Sequence, residues 1–535
     1  MKKIFSIAAI VMVAGLYSCT KTQFSDSYAD PKTVNQTTVE KQFSGFMTSN
    51  LDYVMYKYWN YFVVLQNTAL PWAQSIGVLN NPARYVPGSA AISARWSNYY
   101  NFLAQYKEFL NLYSKLSDQD KADKRLYVIA ATIYFYDHSE KVVDLHGDIP
   151  WSEAGLLSTN GGNYGSSYAK YDNAADIYTK MLDDLKGFAD ELNSINVPAE
   201  VANTIKSQDF INHGDLALWR KYCNSLRLRM LTRVSGVSSF QSRVSGEIGS
   251  IVGSPTTYPL ISSNDDNIAI KVYSNTTPIN NGTGTGASAD FYSGLIGWGN
   301  ADVPTKQIID MMSADSDPRL RAIFQAGANA GGVQAGMDPV ADAATQNALA
   351  TGGMLSRYNF STISRNTNLP GMLINAAEVS FLLAEYYLGS GNDAAAKTAY
   401  ELGINQSVDY YYWLRSISDD ASQGTLTATN QTEKDTYIAS GDVSWTGAAD
   451  NATKLAHIAT QKWIHYNVLQ PIENWTEVRR LKLPALTFLP DNTNAQTTPP
   501  NRWVYPSDEI TYNSDNYQAV KATDNFNTKI FWDVK

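Results

Sequence analysis

A paired-helix pattern in residues 377–404 constrains the fold of this chain more than any other feature. Two apolar-faced segments flank a short turn at Gly391. The small side chains of Ala384 and Ala396 would let the two helices approach closely, and Tyr400 would fill the seam between them. One such unit cannot bury its own apolar face, so the pattern predicts that further helices stack on it.

The spacing of these residues matches the tetratricopeptide pattern. Apolar residues also recur every three or four positions in other segments, which predicts more helices. The residues in register with the repeat are Leu383, Ala384, Tyr387, Gly391, Ala396, Tyr400 and Gly403. The other predicted helices are residues 96–113, 125–145, 172–193 with Asp172 as the N-cap, and 215–234, in which Arg220, Arg227 and Arg233 lie off the apolar face.

Long irregular segments separate these helices. They contain Trp and Tyr, which disordered linkers avoid, so we expect ordered loops packed on a helical scaffold. The fold class predicted is therefore mainly α, a tetratricopeptide-type helical scaffold with a loop-rich half. The irregular segments are residues 253–305, 325–356, 416–452 and 490–512.

Composition narrows the range of partners. The net charge is −9 and the sequence has no block rich in Lys or Arg, which disfavours a nucleic-acid partner. The two cysteines are Cys19 and Cys223. Cys223 lies on the apolar face of segment 215–234, which favours a small core residue over a chemical role.

The N-terminus resembles that of a bacterial lipoprotein. Lys2 and Lys3 precede an apolar stretch too short to span a bilayer, which ends in a Leu-Tyr-Ser-Cys sequence similar to a lipobox. We predict a signal peptide over residues 1–18, with Cys19 lipidated as the first residue of the mature chain and the lipid as its membrane anchor. An ordinary signal peptide with an incidental cysteine remains the alternative.

An ordered series of motifs runs along most of the chain. The motifs are DLHGDIPWSEA (144–154), DFINHGD…WRKYCNSLRLR (209–229), DPRL (317–320), AEV…LAE (377–385), ENW…RR…P (473–484), RWVYP…E (502–509) and DN…TKIFWD (524–533). In this order they resemble the SusD/RagB family, whose surface lipoproteins capture nutrients for TonB-dependent transporters. The resemblance implies tetratricopeptide-type helix pairs on one side and a loop-rich binding half packed across them. We expect structural roles for the motif residues, including Asp148, Glu153, Arg227, Arg479 and Arg480.

By this interpretation residues 19–535 form a single SusD-like body. Helical-repeat elements occupy about 95–234 and 370–485, and loop-rich binding regions occupy about 60–95 and 253–356. The resemblance implies an outer-membrane lipoprotein exposed at the cell surface. The first acidic residue after Cys19 is Asp26, however, which leaves the periplasmic leaflet open as an alternative.

Aromatic side chains in two loop regions are the candidate ligand contacts, because rings stack on sugar faces while polar groups bridge hydroxyls. Trp96 begins the apolar stripe 96–113 and is assigned to the core. The residues selected are Trp72, Arg84 and Tyr85 from residues 66–96, and Tyr292 and Trp298 from residues 273–303, where Tyr273 also lies.

The expected ligand is an oligo- or polysaccharide, captured without catalysis and passed to a SusC-like TonB-dependent transporter. A peptide or another nutrient on the same fold is the alternative, and an α-helical glycoside hydrolase is the alternative from a different class. The sequence contains no HExxH, GxSxG or P-loop motif, and the GxGxxA match at residues 284–289 follows no apolar strand. No cofactor is expected, although calcium in the Asp-rich segment 264–267 is left open.

Overall fold

The computed structural model describes residues 37–77, 84–272, 288–296 and 302–535. The predicted signal peptide, Cys19, Tyr273 and Trp298 lie outside these residues. The chain is mainly helical, as predicted. In the N-terminal half the α-helices are α1 (Val39–Thr48), α2 (Leu51–Val54), α3 (Ala69–Trp72), α4 (Ser89–Ser114), α5 (Asp118–Asp123), α6 (Arg125–His146), α7 (Ala174–Glu191), α8 (Ala199–Gln208), α9 (Leu216–Arg233) and α10 (Gln241–Gly253).

The C-terminal half continues the helical architecture. Its α-helices are α11 (Ser288–Ile296), α12 (Lys306–Ala314), α13 (Leu320–Ile323), α14 (Ala343–Thr351), α15 (Ala376–Gly389), α16 (Asp393–Ser416), α17 (Gln431–Ile438), α18 (Asn451–Tyr466), α19 (Pro471–Leu481), α20 (Ser507–Tyr512) and α21 (Ser514–Tyr517). Two short π-helical segments, Asn60–Leu65 and Phe360–Ser364, lie between regular elements. No helix among the described residues is both long and apolar enough to cross a bilayer.

Strands are short and form three antiparallel pairs in the described residues. β1 (Ile149–Pro150) pairs with β2 (Tyr171–Asp172), β3 (Ile268–Ile270) with β6 (Gly371–Ile374), and β4 (Phe324–Gln325) with β5 (Arg357–Tyr358). Two-residue strands cannot form an independent sheet, so these pairs fasten loops to the helical scaffold.

The paired-helix unit predicted at 377–404 is confirmed as α15 and α16. Gly391 has φ +79°, the left-handed conformation that the turn between the helices requires. A Cβ at Gly403 would lie 2.6 Å from the Phe381 ring, so glycine permits the close approach of the two helices there. Tyr400 of α16 is fully buried, with its ring 6.5 Å from that of Phe381 on α15, as the seam role requires.

The predicted start of segment 172–193 is off by one residue. The N-cap of α7 is Asn173, whose side chain accepts a hydrogen bond from the Ala175 amide. Asp172 instead pairs in β2 and accepts bonds from the backbone amides of Trp151 and Ser152 at 3.0 and 2.8 Å. Asp148 also holds this junction, because its Oδ1 accepts a bond from the Ala174 amide at 2.8 Å.

Helix α9 is buried on all sides over its C-terminal half, which its apolar stripe did not predict. Its arginines are covered because they form ion pairs with carboxylates from other helices. Arg227 binds Glu247 of α10 at 2.8 Å, and Arg229 binds Asp137 of α6 at 2.5 Å. These contacts fit the structural roles expected for the motif arginines.

The ion pairs of Arg229 and Arg233 belong to a buried network that joins α6, α9, α15, α18 and α19. Its carboxylates and cations alternate, so most charges have an opposite charge within 4 Å. The network consists of Asp137, Glu140, Asp144, Glu378, Glu385, Glu473 and Glu477 with Lys141, Arg229, Arg233, Lys462 and Arg480.

The carboxylates of this network titrate differently. Burial, reinforced by the neighbouring Glu473 carboxylate, raises the pKa of Glu140 to about 8, and burial raises that of Glu378 to about 7. Burial opposes ionisation of Glu385 as well, but Arg480 and Lys462 lower its pKa to about 2. Glu140 therefore keeps its proton at neutral pH in the folded chain, whereas it would lose it in the unfolded chain.

We expect the stability of the protein to fall between pH 7 and pH 8.5 through Glu140. A raised folded-state pKa stabilises the fold fully below the unfolded value of 4.5, and this contribution is lost as pH rises through about 8. The loss over this window should be about 1 kcal/mol. The variant Glu140→Gln has no proton to lose and should show a flatter profile. Urea unfolding of the unmodified chain and of Glu140→Gln at several pH values measures the two stability profiles.

The surface variant Glu401→Gln is the matched control, since Glu401 pairs with Lys397 on one exposed helix face. It should reproduce the pH profile of the unmodified chain. Equal slopes for the unmodified chain and Glu140→Gln would contradict the role assigned to Glu140.

Candidate ligand-binding site

Trp72 lies in the core, not on a binding surface. Its side chain is 1% exposed, and its ring packs 5.0 Å from the Trp475 ring and 6.4 Å from that of Trp503. Its Nε1 donates to the Arg84 carbonyl at 3.0 Å. Because no face of the indole reaches solvent, we withdraw Trp72 as a candidate ligand contact.

Tyr85 is buried as well. Only 5% of it is exposed, its hydroxyl donates to the Leu489 carbonyl at 2.8 Å, and its ring meets Phe488 edge-on. Tyr85 is therefore also withdrawn as a ring platform. Arg84 is half-buried, and its Nη1 lies 3.4 Å from the same Leu489 carbonyl. The structure thus brings Trp72, Arg84 and Tyr85 together, but as a packed junction; a contact from Arg84 to a ligand remains a prediction.

Tyr292 has different neighbours. It lies on α11, half-buried, with its ring edge-on to Phe360 at 5.3 Å. The Arg365 guanidinium lies over both rings, 4.3 Å from the centre of Tyr292 and 4.1 Å from that of Phe360. The three side chains form a partly exposed group of two rings and one cation. Trp298 lies beyond α11, outside the described residues, and stays a prediction.

A second aromatic group lies on and just before the π-helical segment Asn60–Leu65. Trp59 is 55% exposed, Tyr58 is also exposed, and Phe62 is half-buried. The rings of Tyr58 and Phe62 stack with centroids 5.0 Å apart. Exposed aromatic rings in such a group provide apolar faces for a ligand.

Helix α11 packs against both π-helical segments, Asn60–Leu65 and Phe360–Ser364, and its own Tyr292 belongs to the group beside Phe360. A Cβ at Gly294 would come within 2.9 Å of Tyr61 Cβ, so the glycine lets α11 pack directly on the π-helical segment. Gln66 donates to the Gly294 and Leu295 carbonyls at 3.3 and 3.0 Å. On its buried side Phe291 packs against Tyr61 at 4.6 Å. We call the two aromatic groups together the aromatic surface; its residues are Tyr58, Trp59, Phe62, Tyr292, Phe360 and Arg365.

Charged groups adjoin the aromatic surface on the Arg365 side. Arg357 forms two bonds to the buried Asp302, at 2.6 and 2.7 Å. Burial raises the pKa of Asp302. The positive charges of Arg357 and the nearby Arg365 oppose this shift but do not cancel it. Asp420, on which Arg365 also acts, accepts bonds from Ser361 and Ser422. This arrangement supplies donors and acceptors beside the rings, the combination that orients a polar ligand.

Beside the Tyr58–Trp59–Phe62 group the charges are sparse. Lys57 lies 3.9 Å from Asp290, a loose pair with both side chains partly exposed. Burial raises the pKa of Asp290, an effect that Lys57 reduces. The Tyr58–Trp59–Phe62 side is therefore dominated by ring faces.

Sequence reasoning missed the π-helical group, although a signal was present. Residues 56–62 hold Tyr56, Tyr58, Trp59, Tyr61 and Phe62. The structure turns Tyr56 and Tyr61 inward and leaves the other three accessible. So many aromatic residues in one short segment beside a loop region could have identified it as a candidate binding segment. Its π-helical geometry, which decides which rings point out, could not be read from spacing.

Metal and thiol chemistry finds little support. Across the described residues no group of three His, Cys, Asp or Glu side chains could hold a metal ion. In the Asp-rich segment 264–267, Asp266 already accepts bonds from Lys221 and Ser262. Cys223 is fully buried, and burial raises the pKa of its thiol to about 12, which confirms the core role predicted for it. Trp96 is confirmed in the core too.

Comparisons with known structures give the same architecture. A chitin-binding protein matches with a TM-score of 0.71 and 21% identity, over 92% of this chain and 100% of its own. A chitin-binding SusD homolog from Flavobacterium johnsoniae matches with a TM-score of 0.70 and 19% identity, over 92% and 99%. A SusD-like protein from Bacteroides thetaiotaomicron matches with a TM-score of 0.67 and 20% identity, over 92% and 99%. At these identities the likeness establishes the fold.

No curated protein sequence matches the chain. A family model does: the SusD-like family described as "Starch-binding associating with outer membrane" matches residues 32–506. That match spans most of the chain, including the tetratricopeptide-type scaffold and helix α11 beside the two aromatic groups. The chain therefore belongs to the SusD-like family.

Proposed function

We propose that this protein captures an oligo- or polysaccharide on the aromatic surface and delivers it, uncleaved, to a SusC-like TonB-dependent transporter. The observation that carries the proposal is the pair of accessible aromatic groups beside α11, one of them covered by Arg365. Ring faces stack on the C–H faces of sugars, and the guanidinium donates to hydroxyls. The family description and the chitin-binding relatives support a glycan over other nutrients.

Capture without catalysis suits this geometry. Stacking is tolerant of position, so the aromatic surface can hold a sugar chain while leaving it free to move on to a transporter. The buried carboxylates described above are engaged with arginines and lysines inside the scaffold. The lipid on Cys19 would keep the protein at the outer membrane, exposed at the cell surface beside its transporter.

Native affinity electrophoresis tests the binding step. The chain from residue 20 onward is run through gels that contain starch, a soluble chitin derivative or another soluble polysaccharide. We expect retardation in at least one gel. Trp59→Ala and Tyr292→Ala should each weaken it about tenfold, the loss of roughly 1.4 kcal/mol of ring contact.

Tyr164→Ala is the matched control, because Tyr164 is 67% exposed but lies in a different loop. It should leave the retardation unchanged. Retardation in no polysaccharide would contradict glycan capture and direct the search to peptides, whose charged contacts weaken with salt. Release of reducing ends would contradict the non-catalytic role and favour a glycoside hydrolase.

A further inference from the structure

A small cavity with several polar groups in an otherwise apolar lining lies beneath the π-helical segment, next to the exposed Trp59. Its volume is about 70 Å³, and its polar lining comes from Asn60, Arg95, His138, Lys141, Gln470 and Glu473. The cavity lies on the inner side of the segment, lined by Asn60 and Tyr61, and is distinct from the aromatic surface. The charges on its lining decide what it can hold.

Arg95 is the unusual member of this lining. It is 4% exposed, and its guanidinium lies 4.6 Å from the centre of the Tyr53 ring. Among the described residues its one hydrogen bond is a long contact of 3.4 Å from Nη1 to Asn98. Arg95 forms no ion pair in that part of the chain, and Tyr53, Tyr99 and Tyr134 are among the groups that act on its charge.

The other charges of the lining are compensated by protein groups. Lys141 is bonded to Asp137, and the Glu473 carboxylate accepts a bond from Arg233 at 2.5 Å. His138 is 2% exposed and stays neutral, because burial lowers its pKa well below the ordinary value. The positive charge of Arg95 is thus left without a counter-charge from the described residues.

Two neutral groups of the lining also have unused hydrogen-bonding capacity. Neither ring nitrogen of His138 has a partner in the described structure, and neither does Oδ1 of Asn60. The neutral imidazole offers one N–H donor, and the Asn60 side chain can turn its amide toward the cavity. Donors from a guanidinium, an imidazole and an amide together suit an anion.

We propose that this cavity binds one small monovalent anion of the halide type, chloride in ordinary buffers, with Arg95 as its counter-ion. An unpaired charge buried in protein destabilises the fold, and a bound anion removes that penalty. The volume leaves room for one halide and a water molecule. Bound there, the anion would fix the π-helical segment from its inner side.

Crystals of the intact chain grown with sodium bromide test the site directly. We expect an anomalous bromide peak within hydrogen-bonding distance of the Arg95 guanidinium. The variant Asn60→Asp places a carboxylate in the same cavity and should abolish the peak. A cavity that holds only ordered water in the unmodified protein would overturn the proposal.

Thermal unfolding in sodium chloride and in sodium gluconate at equal ionic strength gives a second readout. We expect chloride to raise the Tm of the unmodified chain by about 1–3 °C. Arg95→Met and Asn60→Asp should both lose this difference. Arg125→Met, which removes a partly exposed arginine paired with Glu191, should keep it. Equal Tm values in the two salts for the unmodified chain would also overturn the proposal.

Discussion

Replacing Arg229 by methionine should lower the free energy of unfolding by about 3–5 kcal/mol, because it removes a cation that balances the buried Asp137 carboxylate and takes away the buried hydrogen-bond donor of Glu140 and Glu378. Arg229 binds Asp137 at 2.5 Å, Glu140 at 3.0 Å and Glu378 at 3.4 Å, and all four side chains are excluded from solvent. Methionine fills much of the arginine volume, so the loss of charge rather than a cavity should dominate. Urea unfolding measures the change.

Arg321→Met is the matched control for this prediction. Arg321 forms a two-bond pair with Glu433, at 2.6 and 2.8 Å, but both side chains are about one-third exposed. An exposed pair contributes about 0–1 kcal/mol, so this variant should unfold close to the unmodified chain. If both variants lost the same free energy of unfolding, the contribution of Arg229 to stability would not depend on its burial.

The buried network around Arg229 could not be predicted from the sequence of helix α9 alone. Its apolar stripe and its N-cap are local properties, and the helix predicted at 215–234 begins after Asp215, whose side chain accepts bonds from two amides of its first turn. Whether its arginines face water depends on α6, α15 and α19, which carry the opposing carboxylates. Those helices come from distant parts of the chain, so periodicity within α9 could not predict the burial of its polar face.

In the candidate site, the sequence also could not show which aromatic side chains are exposed and which are buried. Loop composition selected Tyr292, which is partly exposed beside Arg365, and its contact with a ligand stays a prediction. The same criterion selected Trp72 and Tyr85, which are core residues. Pro and Gly near an aromatic residue indicate an irregular backbone, but they do not indicate what covers the ring. For Trp72 the cover is Trp475 and Trp503, which come from the C-terminal part of the chain.

Truncating Trp72 to alanine should therefore destabilise the fold, by about 3–5 kcal/mol, the usual cost of removing a large buried aromatic side chain. The loss combines ring contacts with Trp475 and Trp503 and the hydrogen bond to the Arg84 carbonyl. Trp59→Ala removes the same side chain from an exposed position, and its unfolding free energy should change by no more than about 0.5 kcal/mol. Urea unfolding of both variants measures the difference.

The variants Trp72→Ala and Trp59→Ala should also differ in their binding to polysaccharide. Once Trp72→Ala is held at a temperature where it stays folded, it should still be retarded by polysaccharide, because the indole does not reach the aromatic surface. Trp59→Ala should be as stable as the unmodified chain but bind the polysaccharide about tenfold more weakly. The reverse result, a stable Trp72→Ala that no longer binds, would mean that the ring becomes exposed when a ligand is present and that the core contact in the free protein is one of two states.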